Sequence, residues 1–172
     1  ISGLLIANLF KRNSKYKVTI FERNKLIDLN DGYGIQLSVN SIKILNKIGF
    51  YNISKDQSFF PDKLDFYSNK NSKKICDLNI SDFNTEDCKY TTLKRSTLIN
   101  FLKRDLNDVI KIGHNISGIE QQHNKIKLFF DNNETSECDY LIISDGVFSK
   151  SKGLLSNDKF KPKYNDTLAI RG

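Results

Sequence analysis

Methionine and tryptophan are missing from this chain, proline occurs twice and cysteine three times in 172 residues. Each scarcity excludes something. Cys76, Cys88 and Cys138 are odd in number and form no CxxC pair. That argues against a disulfide framework and against a zinc site, and fits a reducing cytoplasm. The two histidines, His114 and His123, lie in polar, loop-like stretches and read as structural or surface residues. No metal site is expected. No apolar run approaches the roughly 20 residues that a membrane helix needs. Contact with a membrane surface stays open. Repeats and low-complexity tracts are absent as well. The opening, "ISGLLIANLF", already reads as the interior of a helix, so the chain is expected to be an internal piece of a longer protein.

Charge is plentiful, and its net value is +7. Such a balance admits nucleic acid, a membrane surface or an anionic ligand as partner. The basic residues, however, are scattered. Lys43, Lys47, Lys73, Lys74, Lys103, Lys111, Lys127 and Lys159 sit among abundant Asn and Ile. This reads as a compositional bias rather than a patch, and no nucleic-acid partner is expected. A non-catalytic basic binding module is kept as the rival class.

The length suits one domain with a sizeable core. A helix near the start is followed by a strand at 17–21 that closes on Glu22. After the Gly-rich "DLNDGYGIQLSVNS" comes an amphipathic helix with Ile42, Leu45 and Ile48 on one face and Gly49 as its C-terminal stop. "KLDFYSNKNSKKICDLNI" reads as two strands around a polar turn at 69–72. "RSTLINFLKRDL" places Leu98, Phe101, Leu102 and Leu106 at helical spacing. A strand, a turn and a strand follow. The apolar run at 140–143 is predicted to be a strand buried on both faces, as in a parallel sheet. Helices alternating with buried strands predict an α/β domain, and the hairpins predict a second sheet outside it.

Three places carry candidate chemistry. A dinucleotide-binding βαβ unit needs glycines where the pyrophosphate meets a helix N-terminus, and an acid about 20 residues on for the ribose hydroxyls. Gly3 fits the third glycine and Glu22 the acid; the other reading is a helix with an incidental Gly and a surface Glu. Arg95, expected to precede a helix that begins near Ser96, would join the helix dipole in attracting an anion such as a phosphate. Its other reading is a side chain in solvent. Asp145-Gly146 ends the apolar run, where an Asp can accept from ribose hydroxyls and a Gly admits close approach. Its other reading is an ordinary Asp-Gly turn.

In this order, the segments resemble the flavin-dependent aromatic hydroxylases. "ISGLLIANLF…VTIFER" resembles the family's GxGxxGL…VxxxER opening, and "GYGIQLSVNSIKILNKIGF" the segment after the ribose acid. That segment is nearest the salicylate hydroxylase and ubiquinone-biosynthesis branches. "LKRSTLINFL" resembles the family's arginine and leucine-rich helix, "DYLIISDGVFSKSK" its DG motif, and "YNDTLAIRG" the strand that opens its substrate-side sheet. Lys152 stands where the DG motif usually has Arg, keeping charge but losing bidentate geometry. Ser144 stands for the usual Ala.

The resemblance implies a Rossmann-like FAD-binding domain, its first strand missing, at 1–60 and 91–157. Segments of an inserted β-sheet substrate domain are then expected at 61–90 and 158–172. It implies that Gly3 is the third glycine of the FAD-binding turn, that Glu22 holds the adenosine ribose and Arg23 lies near the adenine, that Arg95 faces the phosphate and flavin side, that Gln36 lies near the flavin, and that Asp145 and Gly146 contact FAD and assist NAD(P)H use. The family's second FAD motif, a Gly-Asp, is absent. The implied activity is NAD(P)H-dependent hydroxylation of a small aromatic substrate with molecular oxygen, through a flavin hydroperoxide. No protein acid, base or nucleophile is expected, since the cofactor carries the chemistry. A related FAD-dependent reductase or epoxidase is the alternative enzyme.

Overall fold

The computed structural model describes residues 1–27, 29, 33–155 and 162–167. In chain order the elements are α1 (Ser2–Lys11), β1 (Ile20–Glu22), β2 (Gly34–Leu37), α2 (Val39–Asn46), β3 (Ser58–Phe59), β4 (Lys63–Tyr67), β5 (Lys74–Asn79), β6 (Thr91–Lys94), α3 (Arg95–Lys103), β7 (Ile110–Ile112), β8 (Ile116–Gln122), β9 (Lys125–Phe130), β10 (Thr135–Cys138) and α4 (Ser151–Leu155). They form a mixed α/β fold, as the alternation of patterns predicts. Two compact units divide it: Ile1–Asp28 with Asp105–Gly172, and Leu29–Arg104.

The first unit contains the parallel pair. β1 and β7 align Ile20 with Ile110 and Glu22 with Ile112. Parallel strands need a long crossover, and here the whole second unit lies in it. α1 packs against β1, burying Ala7. Its last residue, Lys11, pairs with Asp108 at 2.6 Å and donates to the Asp105 carbonyl at 2.7 Å, so the helix end is tied to the turn before β7. β8, β9 and β10 form an antiparallel sheet in the order β10-β9-β8. Leu128 and Phe130 of β9 are buried, and Phe130 stacks on Phe21 of β1 with centroids 4.6 Å apart. That contact joins the two sheets of this unit.

The second unit is built on β2-β6-β3, all antiparallel. Its core is the apolar faces of α2 and α3: Ile42, Leu45, Leu98, Ile99 and Leu102, with Phe50, Ile80 and Leu93. α2 stops where Gly49 takes φ +88, a left-handed conformation that costs a residue with a Cβ about 1–2 kcal/mol. The β4-β5 hairpin turns at Ser72, φ 54. Lys63 and Lys74 meet Asp65 and Asp77 on it.

Several expectations need correction. The segment 140–143 forms no strand: Tyr140 and Ile142 are 82% and 51% exposed. A strand buried on both faces needs neighbours, and among the described residues the parallel sheet consists of β1 and β7 alone. Leu141 and Ile143 are half-buried, so the apolar run covers one side only. The strand expected at 17–21 is confined to Ile20–Glu22. Arg95 does not precede its helix but is the first helical residue, after Lys94 at the cap. The helix ends at Lys103, so Leu106, although fully buried, lies in the following turn. Of the segment 158–172, most lies outside the described residues, as do Asp28 and 30–32 of the Gly-rich stretch.

Candidate functional site

The carboxyl end of β1 is the best-defined polar feature of the first unit. Glu22 is the strand's last residue, half-buried and paired opposite Ile112. One carboxylate oxygen accepts the Asn24 N–H at 2.9 Å. A carboxylate has about four acceptor sites, so one such bond orients the group without exhausting it. Arg23 follows, exposed. Strand ends of this kind are where open α/β sheets bind ligands.

Gly3 sits in the first turn of α1. A Cβ there would lie 3.4 Å from the Ser144 Cβ and 3.7 Å from its hydroxyl. A Cβ at Gly3 would thus be in ordinary van der Waals contact with Ser144, at the tight end of that range. Next to this contact, Asp145 receives the Ser151 N–H at 3.1 Å and Gly146 has φ +84. Desolvation alone would raise the Asp145 carboxyl, but hydrogen bonds from the Ser149 hydroxyl and from Ser151 outweigh it and hold it below the usual carboxylate range. Ser149 also accepts the Lys152 N–H at 3.1 Å. Asp145 and Ser149 thus cap α4 together, a task that the DG pattern did not disclose. Around Gly146 a Cβ would meet nothing within 4 Å, so the backbone there is open to approach.

The second unit carries the other two candidates. Gln36 lies on β2, exposed, opposite Thr92 of β6. Arg95 is half-buried, and its N–H bonds the Tyr33 carbonyl at 3.1 Å. The structure thus brings Gly3 to Ser144, the residue before Asp145-Gly146, in one unit, and sets Gln36 and Arg95 on neighbouring elements of the other.

None of these residues lines either of two clefts among the described residues. One, about 500 Å³, includes Gln121, His123, Lys125, Asp139 and Tyr140. The other, about 250 Å³, includes Asn52, Thr97, Phe101 and Arg104. In the first, Lys125 is already paired with Asp139 at 2.6 Å. The three cysteines are free thiols. Burial first, then the Asp139 carboxylate, pushes the Cys138 thiol up, away from the reactive thiolate form. Among the described residues no helix is long and apolar enough to cross a membrane.

Sequence reading missed His114, whose polar neighbours hid its setting. Its side chain is 12% exposed. The ring lies against Phe21 and Phe130, with centroids at 5.5 and 5.1 Å. Only the matching of β1 to β7, which joins residues far apart in sequence, reveals that it stands behind Glu22.

Comparison with solved structures gives 2,6-dihydroxypyridine-3-hydroxylase from Arthrobacter nicotinovorans at a TM-score of 0.71, with 15% identity over 90% of this chain and 37% of that one. HpxO of Klebsiella pneumoniae, solved with FAD and uric acid, follows at 0.69, with 16% identity over 84% and 36% of the two chains. The described residues share the fold of these two proteins. In sequence, the chain is 28% identical over 145 residues to 6-hydroxynicotinate 3-monooxygenase of Pseudomonas fluorescens, a match that covers 81% of this chain. The chain spans 37% of that curated relative. No family model matches. Relatives in sequence and in structure therefore fall in the class that the motifs resemble.

Proposed function

We propose that the chain forms the N-terminal part of an NAD(P)H-dependent FAD monooxygenase that hydroxylates a small aromatic ring. The observation that carries this reading is the 145-residue match to a ring hydroxylase. Residues 1–60 and 91–157 are assigned to the FAD-binding domain, and 61–90 and 158–172 to the substrate-side sheet. Three free cysteines suit a reducing compartment such as the cytoplasm.

The residues present fit the cofactor. Glu22 ends a parallel strand with acceptor capacity to spare for a pair of ribose hydroxyls. Gly3, in the first turn of α1, would take the place of the fingerprint's third glycine. In this reading Arg23 would meet the adenine, Arg95 the phosphate side and Gln36 the flavin. Asp145 fixes the turn that leaves the Gly146 backbone accessible. When bound, FAD supplies the electron transfer from NAD(P)H and the activation of oxygen. The protein's part is to bind, orient and exclude water. No side chain of this chain is given a proton-transfer role.

The test is oxygen bookkeeping. The intact protein, supplied with NAD(P)H and a panel of hydroxylated pyridines and phenols, should consume oxygen and add one labelled atom from ¹⁸O₂ to a ring. NAD(P)H oxidation with no label in any organic product, but with a reduced substrate, would support the reductase reading instead.

A further inference from the structure

We propose that His114 is a positioning residue for Glu22, acting through the corner that joins β7 to β8. This rests on the reading of Glu22 as the acceptor of the adenosine ribose hydroxyls. Two successive backbone N–H groups of the corner bind one carbonyl at the end of β1 and one just past it. The His114 N–H donates to the Glu22 carbonyl at 2.9 Å, and the Gly113 N–H donates to the Asn24 carbonyl at 3.0 Å. They bracket Arg23. The Asn24 N–H, so held, points at the Glu22 carboxylate and bonds it at 2.9 Å. Carboxylate, strand end and corner form one closed set of hydrogen bonds.

The His114 ring fixes that corner from the other side. Nδ1 lies 2.8 Å from the Ile112 carbonyl, the residue opposite Glu22, and Nε2 lies 3.0 Å from Glu134 Oε2. Glu134 belongs to the β9–β10 turn and is itself held. Its other oxygen takes the Asn132 amide at 3.1 Å, and its N–H donates to Asn132 Oδ1 at 3.0 Å. Asn115, next to His114, bonds the side chain of Asp131 and accepts the Asp131 N–H at 3.0 Å. Phe21 and Phe130 pack together against one side of the ring, 4.6 Å from each other. Each ring nitrogen thus faces an acceptor oxygen and one side of the ring is packed by phenyl groups, which fixes the orientation of the imidazole. Gly113, at φ +71, supplies the turn that lets both N–H groups aim at β1. The antiparallel sheet therefore serves as a brace: its outer turn, through Glu134 and His114, sets where the Glu22 carboxylate points. Groups that bind ligands need this support, because an orientation held loosely loses affinity.

FMN lacks the adenosine ribose, so it separates positioning of Glu22 from general damage. Binding of FAD and of FMN to the intact apo-protein is measured by flavin fluorescence for H114A, E134A, E22A and the E22A/H114A double variant. His114→Ala should weaken FAD about fivefold, the worth of one ordinary hydrogen bond, and leave FMN unchanged. Glu134→Ala, at a side chain 59% exposed, tolerates truncation and should shift FAD in the same direction by less. Glu22→Ala should weaken FAD about tenfold, and adding His114→Ala to it should cost nothing further, as two residues acting through one contact require. Equal losses of FAD and FMN in H114A and E134A, or a full additional loss in the double variant, would overturn the positioning role. Unchanged FAD affinity in E22A would overturn the ribose reading itself, and with it this one.

Discussion

Replacing Gly3 by Ala and by Val tests the closest approach at the candidate site. The glycine lies in a helix, where Ala is favoured by up to about 1 kcal/mol. The new Cβ would meet Ser144 at 3.4 Å, an ordinary van der Waals separation at its tight end. The two effects roughly cancel or leave a small gain, so Gly3→Ala should alter stability by no more than about 1 kcal/mol. Valine adds two further carbons beyond that Cβ. A β-branched residue has one good rotamer in a helix, so it cannot turn both away from Ser144. Overpacking of this kind costs about 1–3 kcal/mol. Thermal melting of the intact protein should rank Gly and Ala together, with Val clearly lower, and Val should also weaken FAD by displacing the 144–146 segment. A valine variant as stable as the alanine variant would show that α1 and Ser144 do not constrain one another, and the argument from close packing would fail.

Asp145→Ala should cost about 0.5–2 kcal/mol by removing the cap on the Ser151 N–H. Because the folded carboxyl titrates below its ordinary value, its stabilisation is present above about pH 4 and is lost as pH falls through the folded value. Acid melts should therefore show the wild-type and D145A curves converging at low pH. Gly49→Ala places a Cβ at φ +88 and 3.3 Å from Arg104 Nη2, so a loss of about 1–2 kcal/mol in thermal unfolding is expected. Arg95→Ala should lower FAD retention in a way that added salt does not reproduce, and Arg95→Lys should recover only part, since a point charge does not replace a planar fork. Unchanged FAD affinity with a higher melting point in R95A would instead mark a cation placed unfavourably at a helix start.

What could be read from the sequence was local. Ile42, Leu45, Leu98 and Leu102 are buried as their helical spacing predicts, and Gly49 has the backbone that a helix stop requires. The β4-β5 turn also lies where the polar run places it. Features that depend on distant pairing were not legible. Ile20 meets Ile110 across a crossover that holds a whole unit, and no local pattern encodes that register. The run at 140–143 has the composition of a buried strand, but burial is decided by neighbours, and Tyr140 lies in the open. His114 looked like a loop residue because its surroundings come from β1 and the β9–β10 turn. For the site, Gly3 and Glu22 were visible as half of a spaced motif. The capping task of Asp145 was not, since it depends on the turn at Gly146 and the helix that follows.

The most direct test of the account is the identity of the cofactor held by the intact protein. The protein is incubated with FAD, freed of excess by gel filtration, denatured, and the released molecule is identified by mass spectrometry. Stoichiometric FAD, released in much smaller amount from E22A, is the predicted result. No flavin, or FMN retained as well as FAD, would contradict it.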